Sequence, residues 1–313
     1  MEKINALITS AGRRVSLLKS FKNTKGYNKV FACDVNPSFS AACQVSDKSF
    51  KVPRVEDRDY IPTLLDICKK NKIKIVVPTI DTELEVLAKN KDRFLREGIL
   101  IVVSSEEICK TFYLKTTTYE FFKKYGFKTP EIIKDLKNAK YPLFGKLNNS
   151  SLSIGAKKIN SLKEALVLKG EYVFQEFIEG IEYTVDVYFD KNSKIKCIVP
   201  RERIEVRCGE VSKARTRRDE ILIKEIKRLE PFLKGAFGCL TIQLFKRENE
   251  VIFIEINPRF GGGYPLSFFA GANYAKFILD DYFNRKIEYF DKWRDNLIML
   301  RYDAEVLVDG SGI

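Results

Sequence analysis

The first hundred residues alternate short β-rich runs with amphipathic helical runs, and this alternation constrains the fold more than any other feature of the chain. Residues 5–9 read as a strand that ends at Ser10-Ala11-Gly12, and a helical run begins near Val15. Residues 29–33 form a second strand ending at Asp34. A helix over residues 60–71 leads into a strand over residues 73–77 that stops at Pro78, and a helix over about 83–97 precedes a strand over 99–103. Strands separated by helices of this length predict a parallel sheet with helices on its faces. Residues 1–108 are therefore expected to form an α/β, Rossmann-like domain with ligand loops at the carboxyl ends of its strands.

After about residue 108 the pattern changes. A helix near residues 117–125 ends at Gly126, Thr129-Pro130 marks a new start, and residues 143–147 are strand-like. Strands then dominate, over residues 172–178 and 183–189, with 194–199 pairing back across the turn Asp190-Lys191-Asn192-Ser193. A helix over 220–232 precedes a hairpin of residues 239–245 and 251–256 that turns at Glu248-Asn249. The expectation is a mainly antiparallel α+β domain of two lobes, with a small lobe over 109–174 and a large lobe over 175–313.

Composition removes several function classes. The chain has 313 residues and no histidine, so Ser-His-Asp triads, Cys-His pairs and His-ligated metals are excluded. Its seven cysteines lie far apart with no Cys-x-x-Cys, which fits neither a zinc site nor a disulfide framework. The formal charge is +13, yet the lysines are scattered among acidic neighbours, so a solvated surface is expected and nucleic acid is not. No apolar run reaches the ~18 residues of a membrane span. The first residues run straight into a strand, so no signal peptide and a cytoplasmic location are expected.

The most informative string is Glu255-Ile256-Asn257-Pro258-Arg259, followed by Gly261-Gly262-Gly263. Glu255 and Asn257 sit two apart at a strand end, so both face one side. Oxygen ligands at that spacing suit magnesium, Gln243 on the partner strand can add a third, and Arg259 can meet a phosphate. Upstream, residues 200–207 alternate charge along a β-like segment, which predicts that Arg201, Arg203 and Arg207 share a face able to clamp a carboxylate and an acyl phosphate. In the first domain Gly12 and Arg13 lie in a strand-to-helix loop that can bind an anion but lacks a full Gly-x-Gly-x-x-Gly fingerprint. Asp34 and Asp81 follow other strands and are placed for substrate contact.

These strings resemble the ATP-grasp superfamily, specifically enzymes whose ATP-grasp part is similar to that of carbamoyl phosphate synthase. The resemblance spans about residues 1–280. It implies that Gln243, Glu255 and Asn257 bind Mg2+ (or Mn2+) and that Arg259 contacts phosphate. It assigns Lys146, in Phe144-Gly145-Lys146, and Lys115 to the nucleotide phosphates, with Lys110 as an alternative to Lys115. In the segment Gln175–Tyr183 it implies that Phe177 and Ile178 read the adenine edge beside Glu176, and that Glu182 accepts the ribose hydroxyls. The loop carrying Ser153 and Gly155 corresponds to a mobile phosphate cover, although it has one glycine where relatives often have several. The first domain is implied to help bind the acceptor. The function implied is an ATP-dependent ligase that phosphorylates a small-molecule carboxylate and joins it to an amine-type nucleophile, with a homodimer as a possible assembly. The alternatives are an acyl-phosphate-forming kinase and a nucleotide-binding regulatory protein without turnover. A dinucleotide-dependent oxidoreductase is disfavoured by the incomplete fingerprint.

Overall fold

The structure, a computed structural model, describes residues 2–149, 155–168, 171–207 and 209–310. The chain begins with β1 (Ile4–Ile8), α1 (Val15–Lys22), β2 (Tyr27–Asp34), α2 (Ala41–Val45), β3 (Ser49–Lys51), α3 (Tyr60–Lys70), β4 (Ile73–Val77), α4 (Asp81–Leu95) and β5 (Leu100–Ile101). The strands form one parallel sheet in the order β3-β2-β1-β4-β5. The sheet is parallel, as the alternation predicted; its order sets β1 at the centre with β4 beside it, so the loops after Ile8 and Val77 emerge side by side. Thr9 N–H donates to the Val77 carbonyl and the Thr79 hydroxyl to the Thr9 carbonyl, which binds these two loops together.

Helix α4 starts two residues earlier than expected. The reason is Glu83, whose buried carboxylate accepts from the Thr79 and Ile80 amides at 2.7 and 3.1 Å. A carboxylate in the first turn that reaches back to the amides before it does the work of an N-cap side chain. The polar string Asp81-Thr82 thus lies inside the helix rather than before it.

Two short helices, α5 (Glu106–Thr111) and α6 (Lys115–Lys124), lead into a small three-stranded antiparallel sheet. Its strands are β6 (Leu143–Leu147), β7 (Lys157–Ile159) and, after helix α7 (Leu162–Leu166), β8 (Tyr172–Glu176), in the order β7-β6-β8. There follow β9 (Ile181–Phe189), β10 (Ile195–Arg207), β11 (Glu210–Thr216), α8 (Glu220–Leu229), β12 (Gly238–Arg247), β13 (Glu250–Asn257), α9 (Tyr264–Phe269), α10 (Tyr274–Tyr282) and β14 (Ile298–Leu300). The strands among these make a six-stranded antiparallel sheet, β13-β12-β9-β10-β11-β14.

The expected face-sharing of the arginine row holds for only part of its length. Pairing of β10 with β11 slips between Arg203 and Glu205 and again between Glu205 and Val206. Each slip breaks the two-residue alternation, so a strand-period argument cannot be carried across it. Arg207 ends up exposed, with its Nε 3.0 Å from Glu205 Oε1.

One face of the large sheet packs on α6 and α8 through Phe122, Val185, Leu244, Phe253 and Ile226. The two domains share a second core in which Ile8 and Val77 meet Tyr188, Phe260, Tyr264 and Tyr274. This continuous apolar junction fixes the loops of the parallel sheet against the end of β13. Six cysteines (Cys33, Cys43, Cys68, Cys109, Cys197 and Cys239) are buried free thiols, and Cys208 lies outside the described residues. No helix among the described residues is long and apolar enough to cross a membrane.

Candidate active site

The hairpin β12–β13 sets Gln243 opposite Glu255 and Thr241 opposite Asn257. Glu255 lies between two lysines brought from the small-lobe side. Lys115, the first residue of α6, places its Nζ 2.8 Å from Glu255 Oε2. The start of α6 has no side-chain cap of its own. Asn148, at the end of β6, supplies one from outside, with its carbonyl accepting from Lys115 N–H at 3.0 Å and its Oδ1 from Thr116 N–H at 3.1 Å. Lys146, two residues before Asn148 on β6, is only 6% exposed.

Electrostatics follow from this crowding. Burial pushes the Lys146 ammonium down to about 8; Lys115 adds to the fall and the Glu255 charge opposes it. For Glu255 burial alone would raise the carboxyl. The fields of Lys115 and Lys146, with hydrogen bonds from Lys115 and Asn257, outweigh it and hold the group at about 2. The network continues outward: Asn257 Nδ2 donates to Glu255 Oε1 at 2.7 Å, and Arg259 Nη2 donates to Asn257 Oδ1 at 3.2 Å and to Asp81 Oδ2 at 2.7 Å. Asp81 comes from the parallel-sheet domain, so that domain reaches directly into this centre. Two lysines and one arginine face two carboxylates, leaving an excess of positive charge at a half-buried spot. A polyanion completes such a cluster.

Gln243, Glu255 and Asn257 offer one ionised carboxylate and two amide oxygens. This hard donor set suits magnesium, which keeps several waters and borrows phosphate oxygens. Lys115 occupies one side of that carboxylate.

A separate hollow of about 470 Å³ is lined by Thr129, Tyr141, Pro142, Glu176, Phe177, Ile178 and Ile252 among others. Glu176 is fixed from both sides: its amide donates to the Glu131 carbonyl at 3.1 Å, and its carboxylate accepts from Glu131 N–H at 3.1 Å. Lys158 Nζ stands 4.4 Å above the Phe177 ring. Glu182 accepts from Gln243 Nε2 and lies 3.1 Å from Arg203 Nε, which ties the ribose candidate to the metal candidate. Gly155 takes φ +72° and its carbonyl accepts from the Tyr172 hydroxyl at 3.1 Å, while Ser153 lies outside the described residues. Lys110 is surface-exposed and pairs with Glu106 at 2.5 Å, away from the cleft lysines.

Arg201 and Arg203 differ in kind. Arg201 is 1% exposed and grips Asp186 through Nε and Nη2 at 2.8 and 3.0 Å; Asp186 also accepts from Ser267 at 2.6 Å. The Arg201 Nη1 has no hydrogen-bond partner among the described residues. It packs so closely on Gly263 that a Cβ there would stand 2.2 Å away. Arg203 reaches Thr184 Oγ1 at 3.3 Å. Gly12 N–H donates to Asp34 Oδ2 at 3.0 Å, so those two candidates hold each other, and Arg13 is exposed. Arg14 and Glu83 lie in the two loop strings that the sequence reading held as substrate candidates, whereas Glu210, at the start of β11, escaped it because no local signal marks it.

Residues 114–263 match the family model of the ATP-grasp domain. The chain carries an ATP-grasp domain. Residues 6–102 match the model of the PylC-like N-terminal domain, which ends close to β5. The fold is shared with solved structures of low identity. One is the biotin carboxylase domain dimer of 2-oxoglutarate carboxylase from Hydrogenobacter thermophilus, in complex with MgADP, ADP and bicarbonate. It is 14% identical, with a TM-score of 0.71 over 95% of this chain and 74% of that one. Another is N5-carboxyaminoimidazole synthetase from Staphylococcus aureus complexed with ADP, 17% identical, with a TM-score of 0.71 over 96% of this chain and 81% of that one. Among curated proteins no sequence matches this ATP-grasp chain.

Proposed function

We propose that this protein is an ATP-dependent ligase that phosphorylates a small-molecule carboxylate to an acyl phosphate and passes the acyl group to an amine. The single observation that carries this reading is Glu255 held between Lys115 and Lys146, with Asn257 and Arg259 continuing the network to Asp81. In this reading Lys115 and Lys146 bind the nucleotide phosphates. Phe177 and Ile178 border the adenine, Glu182 accepts the ribose, and Arg259 steadies the transferring phosphoryl group. Gln243, Glu255 and Asn257 hold magnesium, which offsets charge on the phosphates. The two neighbouring structures carry ADP or MgADP, and their likeness to this chain in fold supports the same use of the cleft. Arg203 faces the acceptor, whereas Arg201 positions the surrounding loop through Asp186. A homodimer belongs to the same reading, since the Hydrogenobacter domain is a dimer.

Hydroxylamine tests the chemistry directly, because it captures an acyl phosphate as a hydroxamate. With ATP, magnesium, pooled carboxylic acids and hydroxylamine, ADP and hydroxamate are expected in equal amounts, both dependent on an added acid. Release of ADP that no acid stimulates, with no hydroxamate, would refute the reading.

A further inference from the structure

Where the two domains meet, Arg14 and Glu210 face the same bare stretch of backbone. A Cβ built on Gly262 would stand 3.5 Å from Arg14 Nη1 and 3.5 Å from Glu210 Oε1. Gly262 is not among the positive-φ glycines, so no backbone strain calls for glycine at this position. The bare backbone instead lies between an oppositely charged pair, with both charged atoms turned to the point a Cβ would occupy in ordinary contact. The two do not close on each other within ion-pair distance of 4.0 Å. Glu210 gives its Oε2 to Arg301 Nη1 at 3.0 Å, which leaves Oε1 toward the gap. Arg14 makes one long hydrogen bond, Nη2 to the Thr79 carbonyl at 3.4 Å, and has no carboxylate within ion-pair reach among the described residues. Its guanidinium is pushed down to about 10, first by burial and then by the charge of Arg259, which together outweigh the opposing fields of Glu210 and Asp81. A half-buried cation beside another cation, with no ion pair of its own among the described residues, gains most from an incoming anion.

We infer that Arg14 and Glu210 form a zwitterion subsite across Gly262, and that the acceptor is an α-amino acid whose carboxylate meets Arg14 and whose ammonium meets Glu210. The pairing decides the class. An acid without an ammonium leaves Glu210 Oε1 facing its anion, and an amine without a carboxylate leaves Arg14 unpaired. Only a ligand carrying both charges on neighbouring atoms satisfies both groups. The subsite also adjoins the reacting centre, because Gly262 lies three residues after Arg259, and Arg259 bonds Asp81 and Asn257. The inference rests on the ligase reading for the ligand's role as acceptor, but its binding is measurable without turnover.

Ligand-observed NMR on the whole chain, with the twenty standard L-amino acids in pools, supplies the test. Their decarboxylated amines and their N-acetyl derivatives form two further arms. At least one amino acid is expected to bind, and its amine and its N-acetyl form are each expected to bind at least tenfold more weakly. Arg14→Met and Glu210→Gln should each weaken the amino acid by tenfold or more while MgADP affinity, read separately by calorimetry, stays at the parent level. Binding of no amino acid, equal binding of the amine or N-acetyl form, or unchanged amino-acid affinity in both variants would overturn the subsite. Amino-acid binding by a chain that takes up no MgADP would keep the subsite and refute the ATP reading instead.

Discussion

Burial of Lys146 on β6 pushes its ammonium down from the usual 10.5 to about 8, with the field of Lys115 adding to the fall and that of Glu255 opposing it. Below that pH a nucleotide phosphate meets an ammonium, and above it a neutral amine. Affinity for MgADP is therefore full at pH 7 and falls as pH rises. With the ammonium at about 8, its population drops about tenfold between pH 7 and pH 9, equivalent to about 1.4 kcal/mol of binding energy. The nucleotide contributes little to this fall, since the second phosphate ionisation lies at about pH 6. The assay is calorimetry at pH 7, 8 and 9 in buffers of different ionisation enthalpy. These also report proton uptake, because bound phosphate draws the proton back onto the amine. Uptake should be small at pH 7, reach about half a proton at pH 8 and approach one proton at pH 9. Lys146→Met should bind weakly and without pH dependence, and Lys146→Arg, which stays charged, should not fall across the range. A flat profile for the parent protein, with no proton uptake, would refute the assignment of Lys146 to a phosphate.

Two further outcomes follow from named contacts. Glu255→Gln keeps the size of the side chain but removes the charge between Lys115 and Lys146, and acid-stimulated ADP release at saturating ATP should fall by about 10²–10³-fold; parent-rate turnover at limiting magnesium would contradict the metal role. Asp186→Asn leaves Arg201 buried without its ion-pair partner and should lower unfolding free energy in urea by about 3–5 kcal/mol, whereas a loss below about 1 kcal/mol would show the pair to be dispensable.

Much of the arrangement around Glu255 was legible without coordinates. Strand alternation is a local property, so the parallel sheet, the β12–β13 hairpin and the facing of Glu255 with Asn257 could be read from residue spacing. The resemblance then named Lys115 and Lys146, although nothing local distinguishes them from the other lysines. Local rules failed where long-range pairing took over. The slips in β10 removed Arg207 from the face it was expected to share, and Arg201, read as a clamp, proved to be buried against Asp186.

By itself the sequence determined the layer order of the two domains, the absence of histidine chemistry and the oxygen-rich character of the metal candidates. Hydrophobic period and residue type are written in neighbouring positions. Only the tertiary structure decided which charges stand together. Arg259 finds Asp81 across 178 residues of chain, and Arg14 comes to face Glu210 over Gly262, because the core of Ile8, Val77, Tyr188 and Tyr274 locks one domain's loops onto the other. Such pairings depend on how two packed surfaces meet, and no local pattern encodes that.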